Sequence, residues 1–335
     1  MAKLTRKPIG RSGILLWERD PRPEITADMI LDGRAPGFVP QALDFALLEL
    51  LVRYNFMTTR QSSIALQVRS GDPEVPAYVA RKTARHLQAL HGVGLADRAW
   101  GRYRLKTPIL QMGGEPIPAR QHWVSEWIYA LSPKGFATLV RSADEWAVAW
   151  RDEWAARADT LSRKNSVEHE LGRNDVALAM LQAAAMRGRP CPEWLGPREA
   201  YHRVAPPTPG APWQHVEPDS VITLDNGRPL LLEYERSGRA DKFLRKVRAM
   251  RMYVASGAWK ERYVLAPWVI YAVPSATRSD QRFAGSFGDL AAQTRTAGAA
   301  RYLLLDELAW EGGAWEATNA RGQYVDFWTA VWSGT

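Results

Sequence analysis

Three carboxylates carry the first sign of chemistry in this sequence. Asp219 follows Pro218 at the head of a strand expected from Ser220 to Leu224, and Glu233 and Glu235 flank Tyr234 at the end of a second strand, expected from Pro229 to Tyr234. Between them, Asp225-Asn226-Gly227 is turn chemistry of the kind that closes a hairpin. Side chains alternate along a strand, so Glu233 and Glu235 share a face, and the hairpin brings that strand beside Asp219. Clustered carboxylate oxygens suit Mg2+ or Mn2+, and a metal held by Asp219 and Glu233 can align a phosphate and activate water for phosphodiester hydrolysis. The competing reading is structural, with the same acids paired to Arg236 or Arg239.

The elements that must position these acids form an α/β pattern. A helix from about Ser166 to Met186 comes first, and the Pro-rich stretch from Ala205 to Pro212 can be neither helix nor central strand. After the hairpin come a strongly basic helix, Ala240 to Val254, and strands at Trp268 to Val273 and Arg301 to Leu305. Glu168 and Asp175 lie seven positions apart on one edge of the first helix. The layout resembles the PD-(D/E)xK nuclease fold, whose last motif residue is normally a lysine; here that place is Glu235. The resemblance makes Lys242 and Lys246, on the basic helix, candidates for the missing ammonium. Lys246 is equally a phosphate-facing charge beside Arg245 and Arg248. In that fold a glutamate of the first helix completes the metal shell, which makes Glu168 a further ligand candidate.

The N-terminal half has a different pattern. Leu43, Ala46, Leu47, Leu50 and Leu51 recur at helical spacing, and Thr58-Thr59-Arg60-Gln61 offers N-caps for a second helix. A third runs from about Pro76 to Leu90, with Val79, Leu87 and Leu90 expected in the core and Arg81, Lys82, Arg85 and His86 on other faces. Strands are expected around Trp100 to Leu105 and Trp127 to Leu131, and Ser132 caps a closing helix. This order reads as a winged helix-turn-helix with the third helix as recognition helix. Between Arg81 and Lys106 stand seven basic residues, including Arg98, Arg102 and Arg104, against one acid, Asp97. The expected duplex-DNA contacts are therefore Thr59, Arg60, Arg81, Lys82, Arg85, His86, Arg98, Arg102, Arg104 and Lys106; a winged helix used only for protein contact is the alternative.

Composition agrees with this division. The chain has 335 residues and a formal charge of +8; residues 1–165 hold 24 Lys/Arg against 17 Asp/Glu, and the remainder 20 against 19. The excess is N-terminal, which favours a polyanionic partner there. Cys191 is the single cysteine, so no internal disulfide or multi-cysteine zinc site can form. The apolar stretches are too short for a membrane span or secretory signal, and the expected location is cytoplasmic. The expected domains are an extended arm (1–40), a winged helix-turn-helix (41–145) and a nuclease-like α/β domain (146–335). Tryptophans 146, 150 and 154 are expected to pack the halves together.

Several stretches together resemble the replication-relaxation family of plasmid and mobile-element proteins: Leu90-His91-Gly92-Val93-Gly94-Leu95, Tyr129-Ala130-Leu131-Ser132-Pro133-Lys134-Gly135, Val167-Glu168-His169-Glu170-Leu171, Asn174-Asp175-Val176, and Leu232-Glu233-Tyr234-Glu235-Arg236 with the helix that follows. The resemblance implies a winged helix joined to a nuclease-like domain, working on plasmid or mobile-element DNA. No His-x-His relaxase pattern occurs. Three functions stay open: a DNA binder of replication or relaxation, with a homodimer compatible; an Mg2+- or Mn2+-dependent endonuclease or nickase using Asp219, Glu233 and Glu235; and a scaffold whose fifteen tryptophans recruit replication or conjugation proteins.

Overall fold

The computed structural model describes residues 16–18, 25–72, 74–104, 123–142, 164–204, 214–235, 240–273, 301–306, 315–319 and 321–333. They fall into two compact units, one drawn from residues 1–63, 77–105 and 121–171, the other from 64–76 and 172–335. The expected mixture of helices and sheets is present. Among the described residues no helix is long and apolar enough to cross a membrane.

In the first unit, β1 (Leu16–Glu18) and α1 (Ala27–Leu31) come from the stretch expected as an extended arm. β1 pairs antiparallel with β3 (Ala96–Arg104), and Ala27 and Ile30 are buried, so backbone pairing and a small apolar face tie these residues down. α2 (Ala42–Tyr54) starts on a capping box in which the Gln41 N–H donates to Asp44 Oδ2 at 2.8 Å. It ends at Asn55, which has a positive φ of 63°. β2 (Phe56–Thr58) leads into α3 (Thr59–Arg69), whose residues from Ile64 onward count with the second unit, through a second reciprocal cap: the Gln61 N–H donates to Thr58 Oγ1 and the Thr58 N–H to Gln61 Oε1, both at 3.1 Å. Thr58 is the cap of the Thr-Thr pair.

α4 (Ala77–Gly92) buries Ala80, Thr83, Leu87 and Leu90, while Val79, expected in the core, is only half-buried. β3 and β4 (Trp123–Leu131) pair antiparallel from Ala96↔Leu131 to Arg104↔Trp123, and β2 joins the far edge of β4. Ser132 accepts from the Gly135 N–H at 2.9 Å and caps α5 (Pro133–Arg141). A Cβ on Gly135 would stand 2.0 Å from the Leu95 carbonyl oxygen, so only glycine lets α5 approach so closely.

α6 (Lys164–Met186) belongs to both units, passing from one to the other after Leu171. The second unit holds β5 (Glu193–Leu195), the β6 (His202–Val204) and β7 (Gln214–Val216) pair, β8 (Ser220–Thr223), β9 (Pro229–Tyr234), α7 (Ala240–Ser256), β10 (Trp268–Val273), β11 (Arg301–Asp306), β12 (Glu316–Asn319), β13 (Tyr324–Asp326) and α8 (Phe327–Ser333). Its seven-stranded sheet runs β13-β12-β11-β10-β9-β8-β5; β9, β10 and β11 are parallel, and the other pairs are antiparallel. β9 and β10 are buried at every position, as strands covered on both faces must be. α7 lays Phe243, Val247, Met250 and Tyr253 on Val221, Leu231, Val269 and Tyr271. The alternate positions face the other way: a Cβ on Gly172 of α6 would meet the Tyr234 ring at 2.6 Å.

Candidate active site and basic helix face

The register of the hairpin decides where the acids lie. Ser220 pairs with Leu232 in the β8–β9 ladder, so Asp219, one step earlier, comes opposite Glu233. Its Oδ2 accepts the Tyr234 N–H at 2.8 Å, which extends the ladder by a side-chain bond. Glu233 and Glu235 are buried, and strand alternation sends both toward α7. The expected hairpin and shared face are therefore present. What meets the acids is an ammonium: Lys246 Nζ donates to Glu233 Oε2 and lies 3.5 Å from Asp219 Oδ2. Burial works to lower the Lys246 pKa, but Glu233 and Asp219, with Glu235 behind them, outweigh it and hold the group well above the ordinary lysine value.

The donor chemistry matches a hard divalent cation, yet this arrangement gathers the acids around Lys246. Among the described residues no group of three His, Cys, Asp or Glu side chains is placed to hold a metal ion. Lys242, one turn earlier on α7, is exposed. Arg236 and Arg239, the alternative partners for the acids, lie outside the described residues. Glu168 is half-buried in the N-terminal part of α6, within the first unit. Asp175, three residues beyond Gly172 on α6, is buried; that side of the helix meets β9 at Tyr234, on the face away from Glu233.

Tyr271 escaped the sequence reading. It is the register partner of Glu233 on β10, fully buried, and its hydroxyl has no hydrogen-bond partner among the described residues. Burial first, then Tyr302 and Glu233, push its pKa well above the usual tyrosine value. The only signal in the sequence was its place in an apolar strand, and it needed the register to gain meaning.

The basic candidates of the first unit separate into two groups. Arg81, Lys82 and Arg85 are exposed on α4, and with Tyr78, 63% exposed, they form one stripe at helical spacing. Tyr78 is a second omission of the sequence reading, recoverable from its i, i+3, i+4, i+7 relation to the three cations. Lys82, Arg85 and His86 also line an open groove of about 670 Å3 with Phe38, Val39 and Asp44. The other group is engaged: His86 Nδ1 lies 2.7 Å from buried Asp44, and Arg60, itself buried, pairs through Nε with Glu126 at 3.3 Å. Arg98 stands 4.2 Å over the Trp127 ring. Thr59 is half-buried and its carbonyl accepts from Ser63. Arg102 and Arg104 lie on β3 with undescribed side chains, and Lys106 and tryptophans 146, 150 and 154 are outside the described residues.

One protein family, described as replication-relaxation, matches residues 48–269, about two thirds of the chain. The chain belongs to the replication-relaxation family. That membership ties it to replication or relaxation of plasmid or mobile-element DNA. The span matched to the replication-relaxation family takes in α4, the β3–β4 hairpin and every residue from Asp219 to Lys246. Searches of curated proteins and of solved structures found no match.

Proposed function

We propose that this replication-relaxation protein binds duplex DNA through α4, used as the recognition helix of a winged helix-turn-helix, and that its second unit is a PD-(D/E)xK nuclease-like domain. The observation that carries the reading is the α4 stripe. Arg81, Lys82 and Arg85 project without acid partners among the described residues, whereas Arg60 and His86 are paired to acids and so have less to offer a phosphate. The order α2, β2, α3, α4, β3, β4 matches a helix-turn-helix followed by a two-stranded wing. The test is titration of a labelled duplex at several salt concentrations. Arg81→Ala, Lys82→Ala and Arg85→Ala together are expected to weaken binding and reduce the log–log salt slope by up to about 3, near 0.9 for each phosphate left unneutralised. Unchanged affinity and slope in a folded triple variant would remove α4 from the interface.

A second reading, DNA cleavage or nicking by the acid cluster with Mg2+ or Mn2+, is favoured by Lys246. In the nuclease fold an amine accompanies the acids, and here α7 delivers one where the strand carries Glu235. Supercoiled DNA incubated with Mg2+ or Mn2+ is the assay. Nicking abolished by Asp219→Ala and Glu233→Ala supports the reading, and nicking that survives both is not this site's activity.

A further inference from the structure

The end of the sheet away from the acids holds a second concentration of charge. Arg228 stands just ahead of β9 and is only 8% exposed, yet its Nε and Nη1 find no hydrogen-bond partner among the described residues. Trp268, first residue of β10, is in register with Leu230 on one side and Arg301, first residue of β11, on the other. Register neighbours point to the same face, as does Arg228 two residues before Leu230. Arg228, Trp268 and Arg301 therefore share one face at one end of three adjacent strands. The Arg301 guanidinium lies 5.7 Å from the Trp268 ring centroid, and the buried Trp268 Nε1 also lacks a partner among the described residues. Asp225, the acid nearest in sequence to Arg228, is committed to Arg189 Nε at 2.7 Å. Burial, followed by the nearness of Arg301, depresses the Arg228 pKa.

A buried guanidinium with open donors, a like charge beside it and an indole N–H with nothing to donate to is unfavourable by itself and complementary to an anion. The donor count selects the anion. Two arginine forks and an indole offer more N–H groups than the two oxygens of a carboxylate can accept, whereas a phosphate group presents enough oxygens around one charge centre. We propose that Arg228, Arg301 and Trp268 form a phosphate-binding site, separate from the acid cluster and independent of the α4 interface.

The test follows thermal unfolding of the full chain in sodium phosphate, in dimethyl phosphate and in sodium chloride at matched pH and ionic strength. Saturable stabilisation at millimolar phosphate, beyond that of chloride, is expected. Arg228→Met and, separately, Arg301→Met should weaken the apparent affinity about tenfold or more. In chloride, Arg228→Met should be no less stable than wild type, because it removes a buried charge with no partner among the described residues. Dimethyl phosphate acting as well as inorganic phosphate identifies a nucleic-acid backbone diester; a response to inorganic phosphate alone identifies a free phosphate or phosphomonoester. The proposal is overturned by equal unfolding in phosphate and chloride, by a non-saturating effect of the same size in both variants, or by loss of stability of Arg228→Met in chloride. Arg301→Met, at a half-buried position, repeats the affinity comparison at a second residue.

Discussion

Removing the Lys246 ammonium is the sharpest test of the acid cluster. The Glu233 side chain is 3% exposed and that of Lys246 37%. Deleting one partner of a fully buried pair costs about 3–5 kcal/mol, because the other charge is left unpaired in a poor solvent. Lys246 is exposed enough for water to screen part of that loss, so Lys246→Met should cost about 2–3 kcal/mol. Glu233→Gln should relieve part of it, leaving a coupling of about 1–2 kcal/mol in the double-variant cycle. The pH dependence has a definite sign. In the wild type the raised lysine pKa means that the pair's contribution is complete below the ordinary lysine value and fades only as pH climbs through the raised one. In Lys246→Met, Glu233 stays buried without its cation, and because burial disfavours a lone carboxylate the penalty is expected to shrink as pH falls. Urea unfolding of both proteins at a neutral and at a mildly acidic pH measures this. Two compact units can unfold in separate transitions, so the one to follow is the one that Glu233→Gln also moves. A penalty below about 0.5 kcal/mol, equal at both pH values, would refute the reasoning, since that is the size of an exposed ion pair.

Buried His202 stacks on Tyr253 with ring centroids 4.8 Å apart, and its Nε2 lies 3.3 Å from the Tyr263 hydroxyl. Burial, with help from Arg262, lowers its pKa to about 4, so the unfolded chain takes up the proton first. Stability is expected to fall by about 3 kcal/mol as pH drops from about 6.5 to about 4. His202→Phe should flatten that part of the urea-midpoint profile, and parallel profiles would show that the ring does not titrate there. Two glycine substitutions should differ in a predictable way. Gly172→Ala presses a methyl on the Tyr234 ring and should cost about 1–3 kcal/mol of packing, partly offset by up to about 1 kcal/mol of helix propensity. Gly135→Ala meets a backbone carbonyl that cannot rotate away and should be the more damaging, as a shift in thermal midpoint would report; the reverse order would contradict the packing described.

Local patterns made much of the second unit legible. β9 and β10 occupy the spans expected, because their runs of apolar residues between turn signals suit strands buried on both faces. The Asn-Gly turn set the register, and the register set Asp219 against Glu233. Distant partners stayed hidden. Arg60 and His86 look like their exposed neighbours in a charge count, but Glu126 lies 66 residues from one and Asp44 lies 42 from the other. β1, β5, β12 and β13 are short edge or near-edge strands held largely by backbone pairing, which leaves little trace in side-chain pattern. Tyr271 and Arg228 gained significance only when neighbouring strands showed what stands beside them. The mixed α/β composition and the family were readable in advance; the role of Lys246 at the acids was not, since two lysines one turn apart on the same helix were equal candidates.

Delivering the amine from α7 places a constraint on chain length. Each residue of a helix advances the side chain by about 100°, so a single insertion or deletion between Phe243 and Lys246 would swing the ammonium about a quarter turn from Asp219 and Glu233. It would also rotate Phe243 relative to Val247, breaking the apolar seam that seats α7 on the sheet. A strand-borne lysine would depend on the parity of its strand instead, where a slip exchanges one face for the other. In this chain helical phase and charge placement are one variable. The segment from Phe243 to Lys246 should therefore accept substitution at its exposed positions far more readily than any change in length.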